Sequence, residues 1–75
     1  MSIYTGCYID EHGYIQGGNM PGVFYVEEEV IYGPRHAGKY FIQENVIRGP
    51  EESGRFFIED GYIYGPHKEL PWTRE

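Results

Sequence analysis

The sequence predicts an all-β fold, an antiparallel meander of about eight short strands built from four 16-residue hairpin repeats and curled into an open sheet or small barrel. Three observations predict it. The first is an internal period. Residues 30–45 (VIYGPRHAGKYFIQEN) and 46–61 (VIRGPEESGRFFIEDG) are identical at seven of sixteen positions, and a fixed period is the mark of a repeat architecture. The second is composition: eight Tyr and four Phe join Ile and Val at the apolar positions, and these are strand formers. The third is punctuation. Eleven Gly and five Pro fall between short apolar runs, so no segment holds a helical apolar period and essentially no helix is expected.

The chain reads as a single repeat domain over 1–75, with repeats at 14–29, 30–45, 46–61 and 62–72 and a degenerate half-repeat at 6–13. Each repeat divides into two strands. Asp60-Gly61 between two apolar runs is the strongest hairpin signal, because a type I′ turn needs positive φ at both central residues. His12-Gly13, Glu28-Glu29 and Glu44-Asn45 hold the same place. Asn tolerates positive φ, whereas a Glu pair is a poor turn former. The longer connections open on Gly33-Pro34, Gly49-Pro50 and Gly65-Pro66, where proline cannot donate to a ladder. Gly38 and Gly54 are expected to close these loops with positive φ.

A two-residue turn at Asp60-Gly61 pairs Ile58 with Ile63, and alternation then sorts the faces. One face collects Tyr8, Ile15, Phe24, Val26, Ile31, Tyr40, Ile42, Ile47, Phe56, Ile58, Ile63 and Trp72, with Asp10 as its one polar member. The other holds Ile9, Tyr25, Tyr32, Phe41, Arg48, Phe57 and Tyr64. The competing architecture is a parallel β-solenoid with 16-residue rungs, which differs in strand direction. Stringing two-strand hairpins with Gly and Tyr is similar to the MORN family. The units here are shorter and lack its Gly-x-Gly signature, so the likeness implies nothing about function.

Functional signals are sparse. A single cysteine, Cys7, excludes an internal disulfide, and so short a chain gains stability by self-association. No apolar run reaches the roughly 18 residues of a membrane span and no signal sequence is visible, so cytoplasmic residence is expected. A net charge of −6 disfavours direct binding to nucleic acid or anionic membrane. His12, His36 and His67 fall at different phases of the repeat and read as solvated loop residues without zinc-site spacing. Cys7 reads as a small buried apolar residue. Glu27–Glu29 lacks a calcium-loop pattern. The Gly-rich loops lead into no helix, so they form no phosphate cradle. Hence no catalytic, cofactor-binding or metal site is assigned.

The expectation is a non-enzymatic interaction or structural module that forms a homo-oligomer through an aromatic face of Tyr25, Tyr32, Phe41, Phe57 and Tyr64. A second reading uses the acidic rim at the short turns: Glu11, Glu27, Glu28, Glu44, Glu59 and Asp60, with Asp10 and Glu29. All six Lys and Arg lie near the long loops or in the tail, so that rim suits a basic protein partner, as in an inhibitor or immunity-type protein. A third reading is a carbohydrate-binding module, with tyrosines stacking on sugar rings beside carboxylates.

Overall fold

The computed structural model describes residues 2–74. Eight antiparallel strands follow one another around a closed barrel: β1 (Ile3–Ile9), β2 (Tyr14–Gln16), β3 (Phe24–Glu27), β4 (Val30–Tyr32), β5 (Tyr40–Gln43), β6 (Val46–Arg48), β7 (Phe56–Glu59) and β8 (Tyr62–Gly65). Each strand pairs with its neighbour in sequence, and β1 also pairs with β8, with Ile3 opposite Gly65 and Tyr4 opposite Tyr64. The meander expectation holds and the parallel solenoid does not. Closure leaves no unpaired edge, which is how strands this short avoid edge-to-edge association.

The interior is filled in three tiers of equivalent residues. Cys7, Phe24, Tyr40 and Phe56 lie toward the long loops, and Ile15, Ile31, Ile47 and Ile63 form the middle tier, all buried. Ile9, Val26, Ile42 and Ile58 sit toward the short turns and are partly buried. Backbone hydrogen bonds tie the four hairpins into a ring at the turn end. Ile9, Val26, Ile42 and Ile58 each donate their N–H, at 2.7 Å, to the carbonyl of the last turn residue of the adjacent hairpin (Gly61, Gly13, Glu29 and Asn45). At the other end Gly22, Gly38 and Gly54 donate to the carbonyls of Ile15, Ile31 and Ile47. Ile63 has no following loop glycine, and the buried Thr5 hydroxyl donates to its carbonyl instead, at 2.8 Å. That bond accounts for the one polar side chain in the core.

The Gly-Pro loops have a packing cause. A Cβ on Gly33, Gly49 or Gly65 would stand 2.1–2.2 Å from the ring of Phe24, Tyr40 or Phe56 respectively. Each ring is seated on the glycine nine residues later, so those glycines are fixed by contact and not by φ. Gly38 and Gly54 do take positive φ, 77° and 82°. Type I′ geometry occurs at Glu28-Glu29 (φ 52° and 67°), Glu44-Asn45 (53° and 66°) and Asp60-Gly61 (54° and 86°). The poor Glu-Glu pair makes the turn because the Glu29 carbonyl is held by Ile42 of the next hairpin.

The first hairpin departs from expectation. Ile9 is opposite Ile15 and Tyr8 is opposite Gln16, and Asp10 N–H donates to the Tyr14 carbonyl, so the turn takes in the three residues Glu11–Gly13 and not His12-Gly13 alone. The added residue shifts the phase of β1: Ile9 points inward, and Tyr8 is 40% exposed on the outside. Asp10 leaves the inner face altogether. Its carboxylate accepts from the Tyr14 and His12 N–H groups and from Gln16 Nε2, all at 2.9 Å. Strand β1 also starts at Ile3, before the half-repeat placed at 6–13. It carries a bulge: four residue steps from Tyr4 to Tyr8 span two on β8, and Gly6 within it has φ 88°.

Trp72 is buried as expected, but on a short 3₁₀ turn, Pro71–Thr73, and not on a sheet face. Its ring meets those of Tyr40 and Phe56 at 5.7 and 6.4 Å and closes the long-loop end of the barrel. With Leu70, also buried, it completes the core.

The ring-on-glycine contact orders two substitutions. Gly38→Ala should cost about 1 kcal/mol, the price of a Cβ at positive φ. Gly49→Ala should cost more, about 1–3 kcal/mol or above, because the Tyr40 ring must move. Urea unfolding of both variants checks this; equal losses would remove the ring contact as the reason for the Gly-Pro loops.

Candidate functional site

With the interior filled, the features left for function lie on the outer wall and the two ends. Outward positions of neighbouring strands make cross-strand rows. Tyr14, Tyr25 and Tyr32 form one row across β2–β4, with ring centroids 5.7 and 5.6 Å apart. Val30, Phe41 and Arg48 form the next across β4–β6. The third is larger. Phe57 and Tyr64 stack at 5.4 Å, Tyr64 meets Tyr4 at 5.6 Å, Tyr4 meets Tyr62 edge-on at 5.7 Å, and Tyr62 meets Tyr8 at 6.1 Å. This five-ring surface spans β7, β8 and β1. Tyr4, Tyr8 and Tyr62 are each at least 40% exposed, while Phe57 and Tyr64 are half-buried beneath their neighbours.

All five residues expected to form an aromatic face are therefore on the outside, but not on one surface. Closure turns their strands in different directions: Tyr25 and Tyr32 belong to one cluster, Phe57 and Tyr64 to another, and Phe41 stands opposite Val30 and Arg48 between them. Tyr4, Tyr8 and Tyr62 complete the largest cluster and were not among the expected contacts. Tyr62 was legible, since it alternates with the inward Ile63. Tyr8 faces outward, against expectation, because the first turn is one residue longer than the two-residue turns of the other hairpins. Tyr4 joins only because β1 closes on β8.

The acidic rim is likewise placed. Glu11, Glu27, Glu28, Glu29, Glu44, Glu59 and Asp60 are exposed at or beside the short turns. Asp10 differs: the Gln16 side chain and the Tyr14 and His12 N–H groups hold its carboxyl below the ordinary range, which makes it a turn organiser. Glu28 and Phe41, expected on separate features, come together. With Glu29, Val30, Ile42 and Gln43 they line a shallow cleft of about 310 Å³.

The histidines are not equivalent. His12 is exposed beside Glu11 at the acidic rim. His36 and His67, expected to be solvated, are half-buried against Tyr40 and Phe56, and His36 binds the segment that carries Trp72. His36 Nε2 is 2.7 Å from the Arg74 carbonyl, and Arg35 donates to the Thr73 carbonyl at 2.7 Å. Arg74 in turn reaches Glu51, Glu69 and Glu52 at 3.1, 3.2 and 3.5 Å. His67 Nε2 lies 2.8 Å from Glu52. Cys7 is buried, and that burial pushes its thiol pKa up, so it stays protonated. Among the described residues no three His, Cys, Asp or Glu side chains are grouped to hold a metal ion. No helix among them is long and apolar enough to cross a membrane.

Compared with protein-family models, curated proteins and solved structures, the chain matches none.

The Glu52 cluster has a pH signature. The hydrogen bond from His67, with Arg74 nearby, lowers the Glu52 pKa from its usual 4.5. A lowered carboxyl pKa contributes stability above the unfolded value and loses it as pH falls through the folded one. Wild type should therefore lose stability as pH falls below about 4.5, with a smaller loss in Glu52→Gln, which is also less stable at neutral pH. Urea midpoints from pH 7 down to 3 test this; parallel profiles would mean that Glu52 does not hold the tail.

Proposed function

We propose that this protein is a non-enzymatic interaction module whose outer tyrosine surface on β7, β8 and β1 associates with a second copy of the chain. The observation that carries the reading is the five-ring cluster itself. The barrel core is complete without it, and cross-strand aromatic pairs add only about 0.2–1 kcal/mol each to a sheet. Contiguous exposed apolar surface of this kind marks interaction sites, and tyrosine is enriched at them because its ring buries well while its hydroxyl stays paired. Two observations favour binding over catalysis: the Cys7 thiol is buried and protonated, and His36 and His67 are engaged by the Arg74 carbonyl and the Glu52 carboxylate. Light scattering over a hundredfold dilution should give an oligomer. Tyr4→Ser with Tyr62→Ser should shift it to monomer while the far-ultraviolet strand signal persists. A wild type that is monomeric throughout, or a double variant that stays oligomeric, overturns this surface as the contact.

A second reading, a basic protein partner at the turn end, is favoured by one specific observation. Glu28 and Glu29 both occupy positive φ, where Asn-Gly would be relaxed and a side chain with a Cβ is strained by about 1–2 kcal/mol per residue. Retaining carboxylates there, beside the exposed Phe41, suits an arginine or lysine side chain that brings its aliphatic stem to the ring. Glu28→Asn with Glu29→Gly should raise thermal stability while weakening retention on an immobilised basic protein such as a histone, an interaction that added salt should also weaken. Undiminished retention would set this reading aside.

A further inference from the structure

One cross-strand row on the outer wall ends in opposite charges. Glu27 stands opposite Val30, Val30 opposite Phe41 and Phe41 opposite Arg48, so these four side chains run in line across β3–β6. Glu27 and Arg48 are exposed, and Phe41 keeps 42% of its surface open. The same row one repeat later is Gln43, Val46, Phe57 and Tyr64, which carries no charge. Neither Glu27 nor Arg48 makes an ion pair among the described residues. Two strands separate them, so they do not satisfy each other within one chain.

We propose that this row is a contact between two copies of the chain, related by a two-fold axis that passes between β4 and β5. It rests on the basic-partner reading of the turn end and names that partner: the arginine is Arg48 of a second copy. The reason is the order of the row. Turned through half a circle, Glu-Val-Phe-Arg is its own complement, setting each Arg48 against Glu27 of the other copy and each Phe41 against the other Val30. A two-fold contact of this kind uses one patch on both copies. The exposed Glu28 and Glu29 reinforce its negative end, and the exposed Arg55, just before β7, its positive end. Strands of a closed barrel tilt by about 35–45° to its axis, so a row across them runs obliquely and curves less than the girth. The long Arg48 side chain spans the gap that remains. In the single chain its guanidinium lies over Gly54, and exposed side chains leave such positions within nanoseconds. Each copy carries a net charge of −6. At about 0.1 M salt the Debye length of about 10 Å screens that repulsion between barrel centres but spares charges in contact.

Charge exchange tests the contact in the full chain. In about 0.1 M salt, sedimentation velocity at millimolar chain should show a dimer, and amide signals of Glu27, Phe41 and Arg48 should shift on dilution. Arg48→Glu and Glu27→Arg should each raise the dimer dissociation constant about tenfold or more. Glu27→Arg should do so although it lowers the net negative charge, which separates local pairing from overall repulsion. Both positions are exposed, and Tyr32 and Tyr64 hold the place of Arg48 in neighbouring repeats, so both variants should keep their strand signal. An equimolar mixture of the two should recover the dimer, because both charge pairs are then restored between unlike copies. In about 1 M salt, where the Debye length is about 3 Å, this contact should be lost, and the outer tyrosine surface is read there alone. Three results would each overturn the proposal: no dilution shift along this row, a Glu27→Arg chain that dimerises like wild type, or a mixture that associates no better than its parts. If Glu28→Asn with Glu29→Gly weakens histone retention while wild type forms no such dimer, the basic-partner reading stands and the two-copy contact falls.

Discussion

Pairing of β1 with β8 is the constraint on which the rest of this structure depends. Strands of three to seven residues make too little sheet to bury an apolar face while leaving edges open. Closing the ladder gives every strand two partners and one shared interior. Closure also limits what that interior can hold. Rings at positions 24, 40 and 56 recur every sixteen residues, and the period places the next at Trp72. By then the circle is complete, because β1 already stands beside β8. Trp72 therefore cannot start a ninth strand and enters the end of the barrel on a 3₁₀ turn.

The same closure explains how a chain with one cysteine and no metal ligand cluster among its described residues keeps a core. Each tier draws one residue from each hairpin, so the core is distributed evenly and no hairpin is dispensable. The ring of 2.7 Å backbone bonds at the turn end couples neighbouring hairpins directly. A turn with an unfavourable sequence can then be imposed by its neighbour. Glu28-Glu29 is such a turn, and its strain places carboxylates at the acidic end. At the opposite end Arg35, His36 and Arg74 hold the tail that carries Trp72, so two of the six Lys and Arg side chains serve the fold there.

Curvature also decides the functional surface. On an open sheet, Tyr25, Tyr32, Phe41, Phe57 and Tyr64 would share one face. Around a cylinder they separate, and the largest aromatic surface forms where the two ends of the sheet meet. Tyr4 and Tyr8 reach Tyr62 and Tyr64 because the bulge around Gly6 fits four residue steps of β1 to two of β8. The proposed association surface is therefore a product of closure.

By itself the sequence determined the strands, their order, three of the four hairpin turns and the inward face from Ile15 to Ile63. Those features rest on local chemistry: a two-residue alternation, glycine at positive φ, and proline where no ladder bond is needed. The repeat also made the acidic end legible, since turns of one kind must lie on one side of a meander. Tertiary structure alone decided four things: barrel over open sheet, the outward turn of Tyr8, the role of Asp10 and the seating of Trp72. Each depends on contacts between residues far apart in sequence. Thr5 bonding to Ile63 and Tyr4 packing on Tyr64 leave no periodic trace, because each occurs once, where the two ends of the repeat come together, and His36 binding Arg74 leaves none because Arg74 lies beyond the last repeat.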